Sequence, residues 1–144
     1  MKIYLDTCCY NRPFDDQNLL KIQLESIAKL YIQNEIRKGN YNLVWSFMLN
    51  YENNDNPYEE RRKSIQKWEE IATEYCDYHE EILSSGKELQ KLNIKEKDSL
   101  QIACALFSNC DYFITTDYKL TNKKVKGIKI INPIEFINKI EESN

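Results

Sequence analysis

The chain has 144 residues, a length that suits one domain with a sizeable core. Hydrophobic residues make up 42% and charged residues 30%, with only three Gly and three Pro, which excludes a disordered or fibrous chain. No apolar run is long enough to span a membrane, and the first residues lack the apolar core of a signal peptide, so we expect a cytoplasmic protein. The net charge of −3 is not that of a protein that coats nucleic acid by charge alone.

Short β-like segments alternate with amphipathic helical segments along the chain. The apolar run Lys2–Leu5 predicts a first strand, which ends at Asp6. Apolar residues at helical spacing predict a long helix that begins near 15–16 and ends before Gly39. The predicted elements after it, in chain order, are a strand over 42–47, a helix opening over 48–53, a helix from 56–57 onward, a strand over 75–79, a helix over 80–92, a helix over 98–107, a strand over 111–116, a strand over 128–131 and a helix over 134–140.

The order of these elements predicts the fold class. Strands that alternate with helices indicate βα units. We therefore predict an α/β fold in a single domain over 1–144, with a central, mostly parallel sheet of about five strands and helices on both faces. Within it, the helix from 56–57 is predicted with Asn56 as its cap and Pro57 as its first residue.

The cysteines argue against a zinc site. The chain has five cysteines without a CxxC spacing, and its only histidine is His79. An odd number of cysteines in a chain without an export signal favours reduced thiols over disulfides. Adjacent residues in an extended segment point to opposite sides, so we interpret Cys8 and Cys9 as packing residues.

Four of the 23 acidic residues are distinguished by their place on the predicted elements. Asp6 follows the first strand directly, and Asp117 ends the strand over 111–116. Glu52 lies about one turn into the helix after the second strand, and Asp98 opens the helix over 98–107. A helix of about 11 residues runs roughly 16 Å and a strand of six or seven residues roughly 20 Å, so Asp98 and Asp117 return to the same level. All four acids therefore lie at the carboxyl edge of the sheet.

Four carboxylates at one edge need a compensating positive charge. Two unit charges 4 Å apart repel by about 4 kcal/mol at an effective dielectric of 20. A divalent cation removes this conflict, and oxygen ligands without His favour Mg²⁺ or Mn²⁺ over Zn²⁺. Such a cation lowers the pKa of a coordinated water and neutralises charge on a phosphoryl group, so a carboxylate-only site fits phosphodiester hydrolysis.

Three of these acids also have a purely structural interpretation. Asp6 is placed to cap the turn after the first strand, and Asp98 is placed to stabilise the first turn of its helix. Glu52 fits a surface residue equally well, with Glu59 and Glu60 as nearby alternatives for a fourth site acid.

Two segments resemble motifs of PIN-domain ribonucleases. The segment YLDTCCYN resembles that family's first strand, which ends in Asp followed by Ser or Thr, here Asp6 and Thr7. The segment KDSLQIACAL is similar to the family's Asp-Ala-Leu-His-Ile-Ala pattern, with Asp98 as its acid. Two positions depart from the family: Cys8 replaces a small polar residue, and Gln101 replaces the common His.

A third segment and the order of the elements extend the resemblance over nearly the whole chain. In DYFITTDYKL, Thr116 and Asp117 match the family's terminal Thr-Asp pair. In SFMLNYE, Glu52 matches the family's Glu on the helix after the second strand. The segment over 53–63 resembles a feature of a subgroup.

The resemblance implies a PIN-like αβα sandwich, one or two Mg²⁺ or Mn²⁺ ions, and metal-dependent endonuclease cleavage of RNA. Many family members are toxins of toxin–antitoxin pairs and are inhibited by a small antitoxin protein. Dimers are common in the family, so the resemblance also allows a homodimer.

A mechanism follows as a hypothesis for these residues. The expected metal ligands are Asp6, Asp98 and Asp117. Glu52 either ligates the metal or orients the attacking water, and the hydroxyls of Thr7 and Thr116 position carboxylates or water around it. Arg12 on the first loop and Lys119 after Asp117 are the expected RNA-binding cations, and a solvated charged surface is the alternative for each.

Two other functions compete with a nuclease. A non-catalytic module of the same fold would use its acidic groove to bind RNA or a partner protein. An aspartyl phosphatase would use Asp6 as its nucleophile, but that chemistry usually has a second Asp two residues on, where this chain has Cys8.

Asp111 opens its strand at the opposite edge of the sheet, so we interpret it as structural.

Overall fold

The computed structural model describes residues 1–142 and has five parallel strands at its centre. The strands are β1 (Lys2–Leu5), β2 (Asn42–Ser46), β3 (Glu74–Cys76), β4 (Tyr112–Ile114) and β5 (Lys129–Ile131). They lie in the order β3-β2-β1-β4-β5, and all four neighbouring pairs are parallel. The predicted α/β class with a central parallel sheet is confirmed; the last two residues of the predicted domain lie outside the described range.

Helices surround this sheet. They are α1 (Thr7–Asn11), α2 (Leu20–Arg37), α3 (Phe47–Asn54), α4 (Glu59–Gln66), α5 (Trp68–Ile71), α6 (Glu80–Gln90), α7 (Glu96–Phe107), α8 (Tyr118–Thr121) and α9 (Pro133–Glu142). A short 3₁₀ turn, Arg12–Phe14, lies between α1 and α2. Within residues 1–142, none of the helices combines the length and the apolar character that crossing a bilayer requires.

Both faces of the sheet are covered. Successive residues of a strand point to opposite faces, yet Ile3, Tyr4 and Leu5 of β1 are all fully buried. The same holds for Leu43 and Val44 of β2. Such continuous burial is typical of a parallel sheet between two layers of helices, and it leaves the strand ends as the accessible part of the sheet.

The chain departs from the predicted elements directly after β1. A helix, α1, begins at Thr7 because the Asp6 carboxylate accepts the Thr7 backbone N–H at 2.7 Å and caps the first turn. Cys8 and Cys9 therefore lie on a helix, and the prediction of an extended segment was wrong. All five cysteines are free thiols, as predicted.

The helix predicted from 56–57 begins later than expected. The α4 helix starts at Glu59, with Tyr58 at its cap, so the prediction of Asn56 as cap and Pro57 as first residue was wrong. The Asn56 side-chain oxygen instead accepts the Tyr58 N–H at 3.2 Å, which makes a local turn before the helix. The Asn56 amide group also donates to Asn11 at 3.2 Å, which ties this turn to α1.

Candidate active site

The topology of the sheet determines where the four predicted acids lie. Asp6 follows the central strand β1, and its backbone N–H continues the ladder by donating to Ile114 of β4 at 2.9 Å. Glu52 is on α3, which starts at the end of β2, next to β1. Asp117 follows β4 on the other side of β1, and Asp98 is in the first turn of α7. The four acids come from elements that begin or end at the carboxyl ends of three adjacent strands.

Asp6 is the most enclosed of the four acids. Its side chain is buried and accepts hydrogen bonds from the Thr7 backbone N–H at 2.7 Å, the Thr115 hydroxyl at 2.9 Å and the Cys8 thiol at 3.4 Å. Burial raises the pKa of Asp6 well above its usual range, and the negative potential of Cys8 and Glu52 raises it further. Asp6 thus both caps α1 and contributes a carboxylate to the site.

Asp98 and Asp117 share a cavity of about 210 Å³, which Lys119 also lines. Asp98 is half-buried, and its pKa is raised to about 6 by burial and by the neighbouring carboxylates of Asp117 and Glu52. Asp117 caps α8 by accepting the Lys119 backbone N–H at 2.9 Å. Asp98 and Asp117 therefore face the same cavity, and the negative charge of Asp117 adds to the effect of burial on Asp98.

A hydrogen-bond network through the core holds Glu52. The fully buried Gln101 donates through its amide nitrogen to Glu52 at 3.0 Å and to the Thr7 hydroxyl at 3.3 Å. Its amide oxygen accepts the hydroxyl of Tyr4, which in turn contacts the Ser46 hydroxyl. Tyr4 donates its single hydroxyl hydrogen to Gln101, so the Ser46 hydroxyl donates to Tyr4. The hydrogen bond from Tyr4 also orients the Gln101 amide, with its nitrogen toward Glu52.

The two threonines before Asp117 have different roles. The Thr115 hydroxyl donates to Asp6 at 2.9 Å and accepts the Asp117 backbone N–H at 3.1 Å, so it links two site acids. Thr116, which the sequence singled out, is buried, and its backbone N–H points to the Cys8 thiol at 3.4 Å. Thr7 lies at the site, and its hydroxyl accepts a hydrogen bond from the Gln101 amide nitrogen.

Thr115 is a site residue that the sequence interpretation missed, and Gln101 was noted only as a departure from the family's common His, without a role at the site. The repeated threonine in DYFITTDYKL was a signal for Thr115, because successive strand residues face opposite sides and only one of the pair faces Asp6. Gln101 carried a weaker signal, as a polar residue on the apolar face of a helix.

The two predicted RNA-binding cations differ in their surroundings. The Arg12 guanidinium forms salt bridges with Glu25 at 3.0 Å and with Asp15 at 3.1 Å, so it joins the 3₁₀ turn to α2. Lys119 is exposed at the cavity that Asp98 and Asp117 line.

Asp111 lies at the opposite edge of the sheet, as predicted. Its carboxylate accepts the Lys2 backbone N–H at 2.9 Å, at the start of β1. Asp111 is therefore far from the carboxyl edge along the strand direction, and it has a structural partner of its own.

The donor set suits a hard divalent cation. Within residues 1–142, none of the four acids forms an ion pair with Lys or Arg. The negative charge of Glu52 contributes to the raised pKa of both Asp6 and Asp98, and oxygen ligands are those that Mg²⁺ and Mn²⁺ prefer. No three His, Cys, Asp or Glu side chains in the described range are gathered into a ready-made metal cluster.

Comparison with known proteins gives matches among solved structures only. No protein-family model and no curated protein matches the chain. The structure of VapBC2 from Rickettsia felis, bound to a DNA fragment from the promoter, matches with a TM-score of 0.61 and 17% identity, over 92% of this chain and 98% of that one. The structure of FitAcB from Neisseria gonorrhoeae matches with a TM-score of 0.56 and 14% identity over the same shares. These likenesses confirm that the chain has a PIN-like fold.

Proposed function

We propose that this protein is a metal-dependent endoribonuclease that hydrolyses RNA phosphodiester bonds. The observation that supports this most strongly is the placement of four carboxylates at the carboxyl edge of the sheet, none of which forms an ion pair with Lys or Arg within residues 1–142. Such a group is costly unless a cation compensates it.

In this proposal each residue at the edge has a role. The residues that would hold Mg²⁺ or Mn²⁺ are Asp6, Asp98 and Asp117. A bound cation of this kind supplies an activated water and neutralises phosphoryl charge. Gln101 bonds one oxygen of Glu52, and the other oxygen remains to orient a water or to ligate the ion. Lys119 neutralises a backbone phosphate of the RNA beside the Asp98–Asp117 cavity.

We further propose that the protein is the toxin of a toxin–antitoxin pair in the cytoplasm, and that its protein partner is an antitoxin. The support is the likeness in fold to VapBC2 and FitAcB. A homodimer remains an additional expectation, and sedimentation of the purified chain measures it.

A non-catalytic module that binds RNA or a partner protein is the second candidate. It is favoured by one observation: in the described part of the chain, no three metal-binding side chains are already gathered into a cluster. A catalytic site that binds its ion tightly more often has its ligands in place.

The experiment that separates the two candidates measures cleavage of end-labelled RNA at increasing Mn²⁺ concentrations. We expect the wild-type protein to cut in a metal-dependent manner and to leave 5′-phosphate and 3′-hydroxyl ends. Asp98→Asn and Asp117→Asn are expected to reduce the rate at least a hundredfold. Asp111→Asn is the matched control, because its amide oxygen can still accept the Lys2 N–H. RNA binding without cleavage at any Mn²⁺ concentration would establish the binding module.

A further inference from the structure

A second cavity, of about 360 Å³, lies between α2 and the α4–α5 segment. None of the four acids of the candidate active site lines it. Its walls combine aromatic and apolar side chains, among them Phe14, Ile65 and Trp68, with polar groups from α1 and α2. Pockets for small molecules typically have volumes of about 300–1,000 Å³ and mix an apolar lining with a few polar groups in this way.

Three buried polar side chains line this cavity. Lys29, Gln33 and Tyr10 are 4%, 5% and 0% exposed. The Gln33 amide nitrogen and the Tyr10 hydroxyl have no hydrogen-bond partner within residues 1–142. The Lys29 ammonium forms no ion pair in the same range. The only contact that the structure gives the Lys29 ammonium within this range is with the Tyr10 ring, whose centroid lies 5.6 Å away. Burying a donor without a partner is unfavourable, so two such donors beside a buried lysine call for a ligand.

The charge of the cavity is positive. Lys29 and Arg37 lie two turns apart on the same side of α2, and the described lining includes no Asp or Glu. Glu25 lies one turn before Lys29 on α2, but its carboxylate forms a salt bridge with Arg12 at 3.0 Å. Burial and, to a smaller extent, the positive charge of Arg37 together lower the pKa of Lys29 to about 8. The cavity therefore presents one buried cation, Lys29, and one exposed cation, Arg37, whose guanidinium lies 4.9 Å from the centre of the Trp68 ring; neither forms an ion pair with Asp or Glu within residues 1–142.

We propose that this cavity binds a small molecule that carries a phosphate group. Lys29, Gln33 and the Tyr10 hydroxyl would donate to the phosphate oxygens, and Arg37 would add positive charge. All of these groups can donate, and a phosphate presents more oxygens and more negative charge to them than a carboxylate does. The apolar wall at Phe14 and Ile65 would cover an organic body attached to the phosphate, such as a nucleoside. This site is independent of the proposed nuclease function.

Calorimetric titration without divalent metal tests the proposal, with ionic strength held constant by NaCl. The probes are adenosine 5′-monophosphate, inorganic phosphate and adenosine. We expect saturable binding of the monophosphate, and binding of uncharged adenosine at least about tenfold weaker, because a hydrogen bond between charged groups is stronger than a neutral one. Inorganic phosphate binding as tightly as the monophosphate would identify free phosphate as the ligand.

Variants assign the binding to this cavity. Lys29→Met removes the charge and keeps an unbranched side chain, and Gln33→Met removes the unpartnered donor; each is expected to weaken the monophosphate at least about tenfold. Lys38→Met is the matched control on the same helix, because Lys38 is exposed and does not line the cavity. Asp98→Asn, at the other site, should bind as the wild type does.

Two results would overturn the proposal. One is the absence of saturable binding of both phosphate-bearing probes to the folded wild-type protein. The other is weakening by Lys38→Met or Asp98→Asn to the same extent as by Lys29→Met. Circular dichroism checks that each variant is folded. If Lys29→Met does not fold, the monophosphate affinity of Gln33→Met is compared with that of the two control variants instead.

Discussion

Among single residues, Gln101 shows how the core of this protein reaches its candidate active site. Its side chain is completely buried, yet all of its hydrogen bonds lead from the sheet toward the acidic edge. Tyr4 fixes the amide oxygen, so the amide nitrogen must face Glu52 and Thr7. The position of the Glu52 carboxylate is therefore determined by a residue on another helix.

Replacing Gln101 tests this role. Gln101→Leu removes the buried hydrogen bonds of Gln101 with Tyr4, Thr7 and Glu52, so we expect the free energy of unfolding to fall by about 1–3 kcal/mol. RNA cleavage should also fall, because Glu52 loses the donor that holds it. Gln101→His can still form hydrogen bonds, so it should recover part of the stability and part of the cleavage rate. Urea unfolding and cleavage rates measure the two effects, with Gln90→Leu on the exposed end of α6 as the control. Equal effects of Gln101→Leu and Gln90→Leu would contradict the assigned role.

The buried Lys29 makes stability depend on pH. Its pKa in the folded protein is about 8, below the ordinary value of 10.5. The unfolded chain therefore binds more protons between pH 8 and 10.5, and the contribution of Lys29 to stability increases as pH rises through that window. Below pH 8 the cost is largest, on the order of 3 kcal/mol.

Lys29→Met removes this cost. We expect the variant to be more stable than the wild type at pH 7, and the difference to shrink as the pH rises toward 10. Thermal or urea unfolding at several pH values, without phosphate, measures the difference between the two proteins and so cancels the other titrating groups. Lys38→Met should show no such trend. A constant difference from pH 7 to 10 would refute the depressed pKa.

The sequence allowed the four acids to be selected but not their partners. Asp6 and Asp117 follow strands, and the ends of parallel strands meet at one edge, so their place follows from local patterns. Thr115 and Gln101 matter because of the residues opposite them on other elements, and no spacing in the sequence shows which side chain faces which. Arg12 illustrates the same limit, because its partner Glu25 is 13 residues away and buried on α2.

The bounds of helices and strands were predicted best where the local sequence pattern was strong. The bounds of β1 are those predicted, and α6 and α7 lie within two residues of theirs. Helix α1 was missed because five residues are too few to show a helical period. The start of α4 was misplaced because Asn56 bonds within its own turn rather than to a helix.

The packing of α6 against α7 gives an element-scale prediction. A β-carbon at Gly86 of α6 would lie 3.0 Å from a methyl of Leu100 on α7, so the two helices are close at this point. Gly86→Val adds branched volume there and should lower the free energy of unfolding by about 1–3 kcal/mol. Ser84→Val, on the exposed side of α6, is the control for the helix propensity of valine. Equal unfolding midpoints in urea for the two variants would show that the contact is loose.

For the molecule as a whole, the net charge conceals two regions of opposite sign. Carboxylates gather at the carboxyl edge of the sheet, and Lys29 and Arg37 face the cavity beside α2. Lysines line the acidic cavity, but within residues 1–142 neither the four acids nor Lys29 and Arg37 form an ion pair with a side chain of opposite charge, so each region is a place where a bound ion would stabilise the fold by mass action.

Divalent cations should therefore stabilise the intact protein in a pH-dependent manner. Because the pKa of Asp98 is about 6, its carboxylate is ionised at pH 7.5 and mostly protonated at pH 5. We expect Mn²⁺ at about a hundred times its Kd to add roughly 2.7 kcal/mol of stability at pH 7.5 and far less at pH 5, where protons compete for the carboxylate. Asp98→Asn should be more stable than the wild type without metal and should lose most of the response. Asp111→Asn should respond as the wild type does. Differential scanning calorimetry measures all three proteins, and an equal Mn²⁺ response in Asp98→Asn and the wild type would exclude Asp98 as a ligand.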